Sequence, residues 1–483
     1  MSTALAAALP EIVALVERTA REHHCPSVAW GIVIDGALAA HGSTGTLEDG
    51  STPTAQTVYR IASMTKSFTA AAMLSLRDQG LLALDDTLAR HAPEFAHLRA
   101  PATDAAPIRL RDLLSMSSGL ANDDPWADRH MDLDGDELER AVANGALFAG
   151  ATGEVFEYSN LGYGLLGRVV HNLTGQSLQD CVNERLLVPL GMTRTTWTAP
   201  AHDDWARPFR EQDGQCLPEG GPIPDDGALA PMGGLWSTVA DLARWVAWFD
   251  GAFGADGERA AHRGWQLPRA ATRREMQQMQ RYIGMHRHGA VNAPGGYGFG
   301  LTVRDDPALG GMVAHSGGLP GYGSNMRWLA DAPGGARTGR RVGAIALANI
   351  TYAPMAELTY EMFTLMRAHD VITPPTHAQA APDTVIAHAA HALVKLLADW
   401  DDAAAAALFS DNVALDERFD RRRDAALRLR DRCGGSLRIA RILVISATSA
   451  EVELATTTGD TPVVLALQLA PFLPARVQHY SVR

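Results

Sequence analysis

Apolar residues in the opening stretch "MSTALAAALPEIVALVERTAREHH" recur at helical spacing and are interrupted by Pro10, Glu11, Glu17, Arg18 and Arg21, which predicts an amphipathic helix. Two β-rich runs follow around Asp35-Gly36 in "SVAWGIVIDGALAAHGSTG" (27–45), the signal of a hairpin. From about residue 64 to 250 the pattern turns mainly helical, with Gly and Pro breaks. Within it, "IASMTKSFTAAAMLSL" (61–76) is apolar or small around most of its circumference, so a buried helix is expected there. β-like segments resume at "YGFGLTVR" (297–304), "GMVAHSG" (311–317), "SNMRWLAD" (324–331) and "RVGAIALANI" (341–350). Strands at both ends with helices between imply one sheet assembled from the two ends of the chain, with a helical insertion packed on it.

The segment "VITPPTHAQAAPDT" (371–384) reads as a Pro- and Ala-rich linker. Beyond it come a helix from about 384 to 409, the basic segment "RFDRRRDAALRLRDR" and four alternating β-like stretches, a small separate α+β domain. The expected division is residues 1–370, the linker 371–384, and an accessory domain 385–483.

A 483-residue chain that is 46% hydrophobic has material for two or three cored domains, and its net charge of −13 argues against nucleic acid as the main partner. Cys25, Cys181, Cys216 and Cys433 lie far apart with no C-x-x-C pair, which indicates neither a zinc site nor a disulfide framework and fits a reducing compartment. The N-terminus lacks the basic region of a signal peptide, and no apolar run reaches the roughly 18 residues needed to span a bilayer. A cytoplasmic protein without a membrane partner is expected, and a homo-oligomer stays open.

One side chain breaks the apolar pattern of residues 61–76. Lys66 is one of two lysines in the chain, with Lys395, against 40 arginines. Where only positive charge is needed this chain uses Arg, so a retained lysine is a candidate for work that requires losing a proton. Ser63 stands three residues earlier, on the same helical face and at the helix N-terminal end. A hydroxyl, a neighbouring amine whose pKa burial lowers, and the N–H groups of a helix start together make an acyl-transfer nucleophile. Two further segments carry candidate chemistry. Tyr158-Ser159-Asn160 ends a loop before an apolar helix, where a tyrosine whose pKa nearby cations lower can shuttle protons and an Asn can hold both Lys66 and a substrate amide. In "AHSGGLPGYGSNMRW" (314–328), His315 closes a β-like run and Gly317 and Gly318 open a glycine-dense turn that lets a substrate backbone approach. Ser316 in "AHSGG" approximates a nucleophile elbow, but Pro320, Gly321 and Gly323 follow where that motif needs a helix.

Ser-x-x-Lys, then Tyr-x-Asn about ninety-five residues on, then His-Ser-Gly near the end of the sheet resemble the class C β-lactamase and penicillin-binding-protein-like serine hydrolases, peptidase family S12. "IRLRDLLSMSSGL" (108–120), "VPLGMTRTTW" (188–197) and "PMGGLWSTVADLARW" (231–245) are similar to that family's connecting segments, and the resemblance covers roughly residues 8–365. It implies a mixed α/β (α+β) serine β-lactamase/DD-peptidase-like fold, an antiparallel sheet flanked by helices with an all-helical insertion. It also implies that Ser63 is acylated, that Lys66 activates it, and that Tyr158 is general base and acid. Asn160 would orient substrate and lysine, the Ser63 and Gly318 N–H groups would form the oxyanion hole, and Ser316 and Gly317 would line the substrate strand.

His315 stands where antibiotic-hydrolysing members and carboxypeptidases usually have lysine. A histidine near its ordinary pKa is mostly neutral at pH 7, so a carboxylate anchor is in question unless Arg327 supplies the charge. The esterases, D-aminopeptidases and amidases of the family fit better at that position. The segment "ANDDPWADRHMDLDGDELE" (121–139) reads as a solvated acidic loop, with a cleft lining that favours amines as the alternative. His286-x-His288, and His388 with His391, lack a third ligand in view, so neither metal nor cofactor is expected. The expected function is a serine hydrolase acting through an acyl-enzyme on small amide, peptide or ester substrates. Its rivals are a thioesterase that passes a peptidyl group to an amine and releases a cyclic peptide, and a penicillin-recognising sensor without turnover.

Overall fold

Along strand β1 (Ser27–Ile34), Val28, Trp30 and Ile32 join one hydrophobic core while Ala29 and Val33 join another. A strand buried on both faces reads as a continuous apolar run, and "SVAWGIVI" is one. Strand β8 (Val342–Ala348) pairs with it in antiparallel register, Val28 opposite Ala348 and Ile34 opposite Val342, with the same division of faces. Between them in sequence come β2 (Ala37–Gly45), β3 (Arg281–His288), β4 (Val291–Tyr297), β5 (Thr302–Asp306), β6 (Gly310–Leu319) and β7 (Tyr322–Leu329). The sheet order is β2-β1-β8-β7-β6-β5-β4-β3, every pair antiparallel. Each fully buried Leu, Ile or Phe in its two cores contributes about 1.5–3 kcal/mol.

The computed structural model describes residues 2–201, 204–220, 226–253, 267–288, 291–330, 341–373, 383–455 and 463–483. The chain divides into two compact units, one of Met1–Ala330 with Arg340–Pro374, the other containing Pro375–Arg483. Most of the expected linker 371–384 lies outside the described residues, as do the side chains of His286 and His288.

In the first unit, helices α1 (Thr3–Glu22) and α5 (Met355–Ala368) cover one face of the sheet. Helix α1 starts at a Ser2 cap, buries Leu5, Ala8, Ile12, Leu15, Val16 and Ala20, and carries Pro10 on its exposed side. The other face packs on α4 (Val239–Asp250), and the core there continues into a helical lobe with α2 (Thr65–Asp78) and α3 (Asn160–Thr174). Every residue of α2 from Thr65 to Leu76 is buried.

Strands β3 and β4 and a small hairpin, Phe209–Gln212 with Gln215–Pro218, had no sequence expectation. "RYIGMHRH" and "VNAPGGY" show no alternation and carry Gly and Pro, so pairing within the sheet, not local preference, makes them strands. Strand β6 also runs past the expected end at Gly317 to Leu319, and the turn falls at Pro320-Gly321, where Gly321 takes φ +88°.

The second unit has its own core, including Leu393, Leu397, Phe409, Val452, Leu465 and Val477. Helices α6 (Val385–Ala398) and α7 (Phe419–Arg432) accompany an antiparallel sheet of Ile439–Ser446, Ser449–Leu454, Val463–Leu469 and Val477–Val482 in that order. The basic segment is helix α7. Among the described residues no helix is long and apolar enough to cross a membrane.

Candidate active site

Ser63 lies not in α2 but in the 3-10 turn Ala62–Met64 that leads into it. The turn is held on both sides. Ile61 donates its N–H to Leu235 O at 3.0 Å and its carbonyl accepts from Ser324 Oγ of β7 at 2.8 Å. Thr65 Oγ1 accepts from Leu235 N at 3.1 Å, and Ala62 sits at φ +49°, a conformation that surrounding contacts must sustain. The hydroxyl therefore stands at the mouth of α2 on a fixed backbone.

Lys66 is fully buried, and its Nζ reaches Ser63 Oγ at 2.9 Å, Asn160 Oδ1 at 2.6 Å and the Met232 carbonyl at 2.7 Å. Burial pulls its pKa down to about 8, with Asp124, Asp128 and Asp123 opposing. Two glycines of α3 bring the Met232 segment close, since a Cβ at Gly164 would lie 2.5 Å from Leu229 Cδ2 and one at Gly167 would lie 2.6 Å from Pro231 Cγ.

Tyr158 shares a hydrogen bond with Ser63, yet burial pushes its phenol well above its ordinary pKa, the reverse of the expected lowering. The charges of Asp124 and Asp128 and the neighbouring Tyr163 add to burial, outweighing the hydrogen bond with Ser63, while Lys66 Nζ lies over the ring 4.8 Å from its centroid. Asn160, fully buried, opens α3 behind its Ser159 cap.

The acidic loop is not merely solvated. Asp123 accepts from the N–H groups of Asn160 at 2.7 Å and Leu161 at 2.8 Å, Asp124 accepts from Asn160 Nδ2 at 2.6 Å, and the buried Asp128 accepts from Tyr352 Oη at 2.6 Å. Burial raises the Asp128 pKa to about 6. Aspartate is common in loops, and nothing local in the sequence pairs these residues with partners 36 or more positions away. The Met232 carbonyl was unforeseeable for another reason, because main-chain groups have no sequence signature.

On the sheet side, β6 pairs with β5 only as far as Ala314, so residues 315–319 have β7 on one edge and no strand on the other among the described residues. Gly317 faces the Ser63 turn, where a Cβ would collide with Ile61 O and Ser324 Oγ. Gly318 faces the other way, and a Cβ there would lie 2.5 Å from Tyr352 Cδ1. Alternation along the strand turns the Ser316 side chain away from Ser63 as well, where its Oγ accepts from Asn325 Nδ2 at 2.9 Å.

His315 is buried. Its Nδ1 lies 2.6 Å from Ser316 O, which can only accept, so Nδ1 carries the proton and Nε2 accepts from Tyr297 Oη at 2.8 Å. Burial, with Lys66 adding to it, pushes its pKa down to about 3, so the ring is neutral. Arg327 cannot replace the missing charge, because it turns to α5, near Thr359 Oγ1 at 3.4 Å and Ala356 O at 3.2 Å, on the face opposite Ser63.

A helical lobe on an antiparallel sheet, with Ser-x-x-Lys between them facing a free strand edge, is the architecture of the active-site-serine β-lactamases and penicillin-binding proteins. Residues 12–364 match the Beta-lactamase family model, and the chain belongs to that family. It is 32% identical over 222 residues to the D-alanyl-D-alanine-carboxypeptidase/endopeptidase AmpH of Escherichia coli K12, a match covering 44% of this chain and 55% of AmpH. It is also 32% identical over 251 residues to penicillin-binding protein 4 of Amycolatopsis lactamdurans, covering 49% and 63% of the two chains. The matched region thus spans a little over half the length of these relatives. The octameric penicillin-binding protein homologue from Pyrococcus abyssi shares the fold, with TM-score 0.59 and 19% identity over 98% of this chain and 95% of its own.

Proposed function

We propose that this protein is a serine hydrolase that forms an acyl-enzyme on Ser63 with small amide, peptide or ester substrates. The observation that carries the reading is the 2.9 Å contact between Ser63 Oγ and a buried lysine whose pKa lies near 8. The neutral form of Lys66 takes the Ser63 proton as Oγ attacks the carbonyl carbon. Tyr158, a neutral phenol bonded to Ser63, then hands a proton to the leaving amine or alkoxide and is reprotonated from Lys66. Water repeats the sequence in reverse to release the acid. The N–H groups of Ser63 and Gly318 are the proposed oxyanion donors, each typically contributing about 2.7–4 kcal/mol to barrier lowering.

The neutral His315 and the distant Arg327 favour substrates without a carboxylate at that subsite, which supports amidase, esterase or D-aminopeptidase chemistry over carboxypeptidase action. The test is a panel of D- and L-aminoacyl p-nitroanilides, short-chain p-nitrophenyl esters and nitrocefin on wild type and Ser63→Ala, with intact-mass detection of the acyl-enzyme. Full activity in Ser63→Ala would refute the proposal. A peptidyl thioester substrate separates hydrolysis, which gives linear acid, from cyclisation.

A further inference from the structure

We infer that Asp124 is a positioning residue for the proposed acyl transfer, holding the Asn160 carboxamide so that Oδ1, and not Nδ2, meets the Lys66 amine. The inference rests on the serine-hydrolase reading of the site. A carboxamide presents an acceptor at one end and a donor at the other, and nothing in its own shape chooses between them. Lys66 Nζ, protonated or neutral, donates to Asn160 Oδ1 at 2.6 Å. Asn160 is fully buried, so a flipped amide would set donor against donor at a protonated Lys66 and acceptor against acceptor at Asp124; against the neutral amine, whose lone pair can accept from Nδ2, only Asp124 opposes the flip. Asp124 Oδ1, which can only accept when ionised, takes Nδ2 at 2.6 Å and selects the productive orientation.

Helix capping does not account for this contact. Asp123 already accepts from the first N–H groups of α3, and Ser159 Oγ from Gly162 N at 3.3 Å. The two adjacent aspartates divide the task, Asp123 holding the Asn160 main chain and Asp124 its side chain.

Asp124 has a second effect through charge. Among the described residues, the titratable groups facing Lys66 are Asp123, Asp124 and Asp128 from the acidic loop, the neutral His315 of β6, and the phenols Tyr158 and Tyr163, whose ring centroids lie 4.8 and 5.6 Å from Nζ. Asp124 opposes the effect of burial on the amine more than either other carboxylate. Removing its charge lowers the pKa of Lys66, and an enzyme that works through the neutral amine then becomes active at lower pH.

Asp124→Asn keeps an acceptor for Asn160 Nδ2 but loses the charge, whereas Asp124→Ala loses both. For Asp124→Asn the acid limb of kcat/KM should move down by about half a unit to one unit, with kcat on the alkaline plateau falling less than in Asp124→Ala because one end of the new amide can still accept from Asn160 Nδ2. For Asp124→Ala the limb should move similarly, with kcat falling about 10- to 100-fold and KM changing less than about threefold. If Asp124→Ala keeps wild-type kcat on the alkaline plateau, the inference is overturned, whatever happens to melting temperature; an unchanged limb in both variants would remove the charge effect on Lys66. Should Asp124→Ala fail to fold, Asp124→Leu, which has the shape of aspartate without an acceptor, takes its place under the same kcat criterion. Loss of activity in Ser63→Ala with wild-type kcat in Asp124→Ala would sink this inference and leave the hydrolase reading intact; activity retained in Ser63→Ala would sink the reading itself.

Discussion

Replacing Lys66 by arginine retains the positive charge and removes the removable proton. The size of the effect follows from two buried arginines already in this protein. Burial brings Arg273 and Arg327 down only to about 10, against about 8 for Lys66. At pH 7 about one-tenth of Lys66 is then neutral, while an arginine at that lowest value would be neutral about one time in a thousand, roughly a 100-fold deficit of active base. The bulkier fork must also fit between Ser63, Asn160, Met232 and the two tyrosine rings, so the geometry of proton transfer suffers as well. Loss of a positioned base typically costs about 10²–10⁴ in rate. Lys66→Arg should therefore retain less than about 1% of wild-type kcat at pH 7 in a p-nitrophenyl ester assay, and should form little acyl-enzyme by intact mass. The exposed Lys395 of α6 is the control, and Lys395→Arg should be indistinguishable from wild type. Lys66→Arg activity within tenfold of wild type, at unchanged melting temperature, would show that Lys66 is not the base.

In the wild type, a base whose pKa is lowered to about 8 is inactive when protonated, so kcat/KM should rise with pH through about 8; a limb near 6 would assign the base elsewhere. His315, pushed down to about 3, should show no titration of its ring protons by NMR between pH 5 and 8, and a midpoint in that interval would contradict its burial between Tyr297 and Ser316. Gly317→Ala would drive a methyl into Ile61 O and Ser324 Oγ and bring it to 2.9 Å from Ala62 Cβ, so stability measured by denaturant titration should fall by about 1–3 kcal/mol, with kcat down at least about tenfold. Wild-type kinetics in that variant would mean that the strand does not brace the Ser63 turn.

Much of this was readable from residue types. The doubly buried strands β1 and β8 announce themselves as continuous apolar runs, and the lysine scarcity singles out Lys66 because composition removes the alternative of a generic positive charge. What could not be read depends on partners distant in sequence. Asp123 and Asp124 look like loop residues until folding brings them to α3, and β3 and β4 are strands because neighbours pair with them. The expected lowering of the Tyr158 pKa failed because the sequence motif shows the neighbouring lysine but not the complete burial of the phenol or the carboxylates of Asp124 and Asp128 that fold in beside it. Arg327 failed similarly. Strand alternation sends it to the α5 face, but the sequence alone does not say which face carries the cleft.

The seam between β1 and β8 joins residues more than 300 positions apart. At translation rates of about 5–20 residues per second, β1 waits some 15–60 seconds for its partner to be made. During that interval β2 is made to pair with one edge of β1, the helices that carry Lys66 and Asn160 follow, and the other edge waits until the last strand of the sheet is made. Lys66 and Asn160 are therefore synthesised well before β6, whose Gly317 packs on the Ser63 turn, and before β8, which closes the sheet on β1.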